Sequence, residues 1–398
     1  MPPIRRLVVG GLIAALGLAG CTEEAERIEM TRVPSPAGGI VDTIALAEGA
    51  EGPELIAPAD DTLYVREMGS NTWSAREVHW PKEIGQTAAS PVSGLFWSRD
   101  SFNFPTTHRL TTHNDRIWML SRTSPDDSSE LLVSDSRGRN WSRTDLPSPY
   151  RDHNTRTSGG RRGPKQLARI DARAPLRIVS RGQAGLYLLG ANRVWKAIFS
   201  DDDPRELSTW EHVEISETDV FGSAAPTTFP NIVRNYLPAT EDRPFDLLTV
   251  FGDRLYVYRR HQGNNRWVLV STLPTIDIAL RAAPNGTALY LFAPEAVYRS
   301  SQQGEQWEKL TVTSPLDSPP NHNGFAFLPT QNDGQRPGEL PGLVVGTDSG
   351  AIYRSVDGGN SWKRTRAPDP DSRAITGIVA DDGTGHLWAS TAGQGILV

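Results

Sequence analysis

An all-β ring of repeated antiparallel sheets, a β-propeller, is the fold class this sequence predicts, and three observations predict it. The first is a turn spelled three times, from Leu132 to Trp141, Tyr298 to Trp307 and Tyr353 to Trp362. Each copy has Ser, then Gly four residues later, then Trp three beyond: Ser134, Gly138 and Trp141; Ser300, Gly304 and Trp307; Ser355, Gly359 and Trp362. Self-similarity of this kind marks a stacked repeat architecture. The second is composition: 36 Gly and 30 Pro imply many turns, 11 Trp is high, and no window after residue 20 has sustained helical periodicity. The third is length, because residues 21–398 are too many for one sandwich but suit a closed ring of sheets.

Each repeated turn reads as strand, tight turn, strand. An Asp or polar substitute accepts backbone N–H bonds inside the turn, Gly supplies a position with φ > 0, and Trp opens the next strand with its ring buried. The pattern Ser-x-Asp-x-Gly-x-x-Trp resembles the Asp-box, or bacterial neuraminidase repeat. Residues 355–362 match it in full, through Ser355, Asp357, Gly359 and Trp362, whereas Ser136 and Gln302 stand where Asp is expected in the other two copies. Asp-boxes occur in sialidases, sortilin-type receptors and the photosystem II assembly factor family. The resemblance implies structural boxes on outer turns of propeller blades, and so a fold rather than a reaction.

Weaker copies extend the count. Arg66 to Trp73 and Arg260 to Trp267 share a variant turn with Gly four residues before Trp, and a longer turn from Ser200 ends at Trp210. Six turn-closing tryptophans result: Trp73, Trp141, Trp210, Trp267, Trp307 and Trp362. After Trp362 the chain has three strand-like segments, Ile375–Ala380, His386–Thr391 and Gly395–Val398, and lacks a fourth. Residues 28–36 align without gaps to residues 141–149, so an N-terminal strand is expected to complete the last blade. Closure of this kind removes exposed sheet edges. Seven blades are expected over residues 28–398, with six or eight as alternatives.

The N-terminus carries a second message. Arg5 and Arg6 precede an apolar run from Leu7 to Gly20, too short to span a bilayer comfortably, as in a secretory signal peptide over residues 1–20. The run ends in Leu18-Ala19-Gly20-Cys21, which resembles a bacterial lipobox, and Cys21 is the single cysteine of the chain. The resemblance implies cleavage before Cys21, its acylation, and a short acidic tether over residues 21–27. Each acyl chain contributes about 0.8 kcal/mol per buried methylene to membrane binding. By analogy with enterobacterial sorting, Thr22 rather than Asp after the cysteine favours the outer membrane, facing the periplasm or the cell surface.

One segment resists the repeat. Residues 150–174 hold Arg151, Arg156, Arg161, Arg162, Lys165, Arg169 and Arg173 against Asp152 and Asp171, a net of +5 in a chain of net charge −6. A long basic loop on a rigid scaffold suits a carboxylate, a phosphate or an acidic protein surface. It reads equally well as a solvated, partly disordered insertion. A smaller insert, residues 331–341, is Gly- and Pro-rich and reads as inert.

Chemistry leaves little trace. Thr31-Arg32-Val33-Pro34 resembles the sialidase Phe/Tyr-Arg-Ile-Pro motif, whose Arg binds a substrate carboxylate, with Thr31 in place of the aromatic. Glu48, Asp60, Arg234, Tyr236, Arg259 and Tyr298 are candidate partners, and no spacing ties them together. The histidine pair His108 and His113 lacks a usual zinc spacing, and Asp60-Asp61 and Asp201–Asp203 read as turn acids. No Gly-x-Ser-x-Gly elbow or phosphate-binding loop is present. The net charge of −6 argues against a general nucleic-acid binder. The sequence therefore points to a non-catalytic, lipid-anchored propeller that binds a protein partner, without metal or cofactor. A sialidase-like hydrolase or glycan-binding protein is the alternative.

Overall fold

The computed structural model describes residues 32–33 and most of 44–397. Residues 1–31, 34–43, 48–53, 80–109, 122–129, 148–176, 216–219, 221–231, 313–321, 329–339, 367–373 and 381–385, with shorter turn segments, lie outside the described residues. Among the described residues, 28 strands form seven four-stranded antiparallel sheets. Six sheets are built from four consecutive strands. These six blades run in chain order from Ala45–Ala47 to Ser74–Arg76, Leu110–His113 to Ser142–Thr144, Arg177–Ser180 to Leu207–Val213, Ile232–Leu237 to Val268–Leu273, Ala279–Ala282 to Glu308–Leu310, and His322–Phe327 to Lys363–Arg366. The seventh sheet is composite. Its inner strands are Ile375–Ala380, Leu387–Thr391 and Gly395–Leu397, and its outer strand is Arg32–Val33, paired in the register Arg32 to Leu397 and Val33 to Ile396. The Arg-Val dipeptide offered above as a sialidase-like motif is thus the closing strand.

The ring is held by seven apolar clusters, each between two successive blades. Blade 1 meets blade 2 through Ile56, Leu63, Ile117 and Met119, and the pattern repeats around the ring to blades 6 and 7, where Val344 and Ile352 meet Ile375 and Ala389. The last cluster packs Leu55 and Ala57 of blade 1 on Trp388 of blade 7 and closes the circle. Strands sandwiched between two neighbouring blades bury both faces and lose the polar alternation of a half-exposed strand. Leu186–Leu189, Leu289–Ala293, Leu343–Thr347 and Leu387–Thr391 are accordingly buried at every position. Outer strands such as Ser142–Thr144 and Lys363–Arg366 face water and are polar.

The three repeated turns share one geometry. The Ser134 hydroxyl accepts the Gly138 N–H at 2.9 Å, Ser300 the Gly304 N–H at 3.0 Å and Ser355 the Gly359 N–H at 2.7 Å. Trp141, Trp307 and Trp362 each donate the indole N–H to the carbonyl of their own glycine at 2.9 Å. The sequence predicts one residue with φ > 0 in each turn, and the structure shows two. Arg137 and Gln303 precede their glycines at φ 53, and Gly358 fills that position at φ 69. The third turn adds the carboxylate: Asp357 accepts the Ser361 N–H at 2.9 Å, the Ser361 hydroxyl at 2.5 Å and the Ser355 hydroxyl at 2.7 Å. Gln302 makes no such set among the described residues, and Ser136 lies outside them.

These turns also latch adjacent blades. A Cβ at Gly138 would collide with Leu63 of blade 1, and one at Gly359 with Leu310 of blade 5. Polar contacts run the same way. Arg137 reaches Glu54 of blade 1 at 2.8 Å, Glu305 pairs with Arg259 of blade 4 at 2.7 Å, and Arg299 of blade 5 donates to Gly358 O at 3.0 Å and Asn360 Oδ1 at 2.9 Å.

Two expectations about the tryptophans need correction. Five of the six stand immediately before an outer strand, but Trp210 lies inside Leu207–Val213, because its longer turn is closed earlier by Ser200 N to Glu206 O at 2.8 Å. Nor is the ring always buried: Trp141 and Trp267 are 5% and 2% exposed, whereas Trp73, Trp210, Trp307 and Trp362 are only partly buried. In two of the three variant turns the indole bonds to the preceding blade instead, Trp210 to Asp145 O at 2.9 Å and Trp267 to Glu214 O at 3.0 Å.

The Asp357 turn carries a pH signature. Partial burial pushes its carboxyl up, but the bonds from Ser361 and Ser355 outweigh that and hold it below the usual carboxylate range. A carboxyl lowered on folding stabilises above its unfolded pKa of about 3.9, and that stability is lost as pH falls through the folded value. The urea midpoint of Asp357→Asn is therefore expected below wild type at pH 7, with the gap closing as pH falls below about 4. A gap unchanged in acid would place the effect elsewhere than the carboxylate.

Candidate functional site

The inner strands of the ring surround a cavity of about 290 Å³ on its axis. It is lined by residues 44–46 of blade 1 and its approach, 110–112 of blade 2, 178–180 of blade 3, Arg281 of blade 5, 324–325 of blade 6 and 377–379 of blade 7. Among the described residues, none of blade 4 lines it. Arg177 and Arg181 reach the inner strand of blade 4 instead, Arg177 donating to Val233 O at 2.6 Å. Arg181, just after the inner strand of blade 3, donates through Nε to Tyr236 O of blade 4 at 2.9 Å and through Nη1 towards Leu280 O of blade 5 at 3.4 Å. Its Nη2 is buried with no hydrogen-bond partner among the described residues. Arg281 lines the cavity and lies 5.7 Å from the Phe325 ring centroid.

The electrostatics of this wall are one-sided. Burial lowers the Arg281 pKa to about 10, and burial followed by the charges of Arg281, Arg177 and Arg243 lowers that of Arg181. Arg281 at least stays charged at neutral pH. Both residues are half-buried. Asp246 of blade 4 is already occupied: it accepts from Arg260 at 2.7 and 3.0 Å, from Tyr236 Oη at 3.1 Å and from Ala239 N at 2.8 Å. At the same end of the channel His113 Nδ1 and Ser180 Oγ lie 3.2 Å apart, and burial lowers the imidazole pKa. The lining residues of blades 7 and 1, on the side of the ring opposite blade 4, include Ile44, Leu46, Ile378 and Val379.

The candidates read from the sequence are distributed differently. Cys21 and the basic residues of 150–174 lie outside the described residues, as do Glu48 and Asp60. The repeated turns belong to the interfaces between blades. The sialidase-like set is not assembled: Arg32 is on the outer strand of blade 7, whereas Arg234 and Tyr236 are on the inner strand of blade 4. Arg259 and Tyr298 are on the third strands of blades 4 and 5. Burial, then Asp246, raises the Tyr236 phenol, the wrong direction for a nucleophile. No group of three His, Cys, Asp or Glu suited to a metal occurs among the described residues. Sequence reasoning missed Arg181 and Arg281. The available signal was weak: Arg-Ile-Val-Ser-Arg at 177–181 and Ala-Leu-Arg-Ala at 279–282 place cations in strands that otherwise read as core.

No family profile and no curated protein sequence match the chain. Among solved structures it is similar to YCF48 from Cyanidioschyzon merolae, with a TM-score of 0.53 at 14% identity over 92% of this chain and 97% of that one. A structure of YCF48 bound to D1 peptide gives 0.53 at 13% identity, covering 93% and 94% of the two chains. The GH74 xyloglucanase from Xanthomonas campestris gives 0.53 at 16% identity over 92% of this chain and 53% of the enzyme. At such identities the likeness establishes the fold, a β-propeller with four-stranded antiparallel blades.

Proposed function

We propose that this chain is a non-catalytic propeller of the Asp-box type, anchored to the bacterial envelope through an acylated Cys21, that holds a protein partner by an acidic surface. The observation that carries this reading is the basic segment of residues 150–174, seven cations against two acids, inserted between blades 2 and 3. The likeness to a propeller described as bound to a peptide supports the mode of action. The lipobox resemblance supports outer-membrane attachment facing the periplasm.

The test uses the full chain in membranes. Cys21→Ser is expected to move the protein out of the membrane pellet. Photo-crosslinking from position 165 is expected to give one dominant adduct, lost when Arg156, Arg161 and Arg162 are replaced by Ala and weakened as salt rises. Unchanged partitioning of Cys21→Ser would remove the anchor. Turnover of a fluorogenic sialoside that disappears with Arg32→Ala would replace the scaffold reading with a hydrolase.

A further inference from the structure

We propose that the axial cavity is a binding site for the carboxylate of an amphipathic organic anion, with Arg281 as its direct ligand and Arg181 reinforcing the charge behind it. This goes beyond the protein-binding reading, which concerns residues 150–174 and a different part of the chain. Blade 4 is the single blade absent from the cavity wall among the described residues, and there the Arg181 guanidinium spans from Tyr236 to Leu280 and brings its charge up to Arg281. Two guanidinium groups placed together, with no carboxylate paired to either among the described residues, repel, and a largely enclosed charge is costly unless paired. Arg181 Nη2 retains an unused buried donor. A bound anion relieves both costs, and guanidinium groups suit carboxylates because two parallel N–H donors match the two oxygens.

The opposite wall selects the class of anion. On the side away from the arginines the half-buried Leu46 and Val379 supply apolar surface, while Ile44 and Ile378 are spent mainly on the clusters between blades, so a ligand with an apolar body covers that side. Inorganic phosphate has none and would leave that wall wet. A volume of about 290 Å³ admits a small molecule or the last residue or two of a chain. Two sources supply the same chemistry: a free short-chain carboxylate, or an apolar peptide ending in its α-carboxylate.

Calorimetric titration of the full chain with hexanoate, inorganic phosphate, and one tripeptide, Ala-Val-Leu, in free-acid and C-terminally amidated forms tests this. Hexanoate is expected to bind, and phosphate at least tenfold more weakly. The free-acid peptide binding tighter than hexanoate, with the amide silent, identifies a chain end as the ligand; hexanoate binding at least as tightly as the free-acid peptide identifies a small metabolite-like carboxylate. Arg281→Met is expected to weaken hexanoate at least tenfold, with partial recovery in Arg281→Lys. A thermal midpoint of the unaltered protein that rises with hexanoate but not with chloride at equal ionic strength gives a readout that needs no variant. No response of the unaltered protein to either carboxylate, equal binding of phosphate, or undiminished binding by a folded Arg281→Met would each overturn the proposal.

Discussion

Replacement of Asp246 by Ala is expected to cost about 3–5 kcal/mol of stability, the range for removing one partner of a buried ion pair. The carboxylate is the joint of blade 4. It takes two bonds from Arg260, one from the Tyr236 hydroxyl and one from the Ala239 N–H, and so ties the inner, second and third strands to one another. Arg260 in turn lies over the Trp267 ring at 4.8 Å and donates to Glu214 O of the preceding blade at 3.0 Å. Loss of the acid leaves a guanidinium held against an indole with no counter-charge. Asp246→Asn keeps acceptor oxygen but not charge, and is expected to fall between wild type and Ala. Urea unfolding checks both, and a midpoint for Asp246→Ala within error of wild type would show that Arg260 finds another partner.

Deletion of residues 28–34 is expected to be comparably severe, at several kcal/mol, because it removes the outer strand Arg32–Val33 and strips the pairing from the outer edge of Gly395–Leu397. The exposed strand then presents unpaired N–H and C=O groups, the usual template for association between chains. Lower urea midpoint and increased light scattering are the expected readouts. A deleted chain that melts with wild type and stays monomeric would show that the two-residue pairing contributes nothing.

Much of the architecture was legible because the same local physics recurs. Ser134, Ser300 and Ser355 each accept an N–H from a glycine four residues on, a contact set entirely by spacing. The closing strand was legible for a related reason but not in register: residues 28–36 copy residues 141–149, where Ser142–Thr144 is an outer strand, and Arg32–Val33 falls just after the counterpart of that strand. Trp210 was misplaced by a few residues because a longer turn conserves the tryptophan but not its register. The cavity was not legible. Arg181 reaches Leu280 across 99 positions of sequence, and such a neighbour is chosen by ring closure rather than by any local pattern. Arg281 is a lone cation in a stretch that otherwise reads as core, and nothing local shows that the ring turns its strand toward the axis.

The composite seventh blade also sets a rule of assembly. Six blades can form from contiguous chain, but the seventh waits for residue 32 to find residue 397, so closure is a late, long-range event with a large loop entropy to overcome. Until then each molecule carries both a free strand and a vacant edge of matching register. Two such molecules can exchange these strands, each completing the other's ring, in a domain-swapped pair that uses only native contacts. The balance between self-closure and exchange depends on protein concentration during folding, so the joint that seals the monomer is also the point at which two chains can become interlocked.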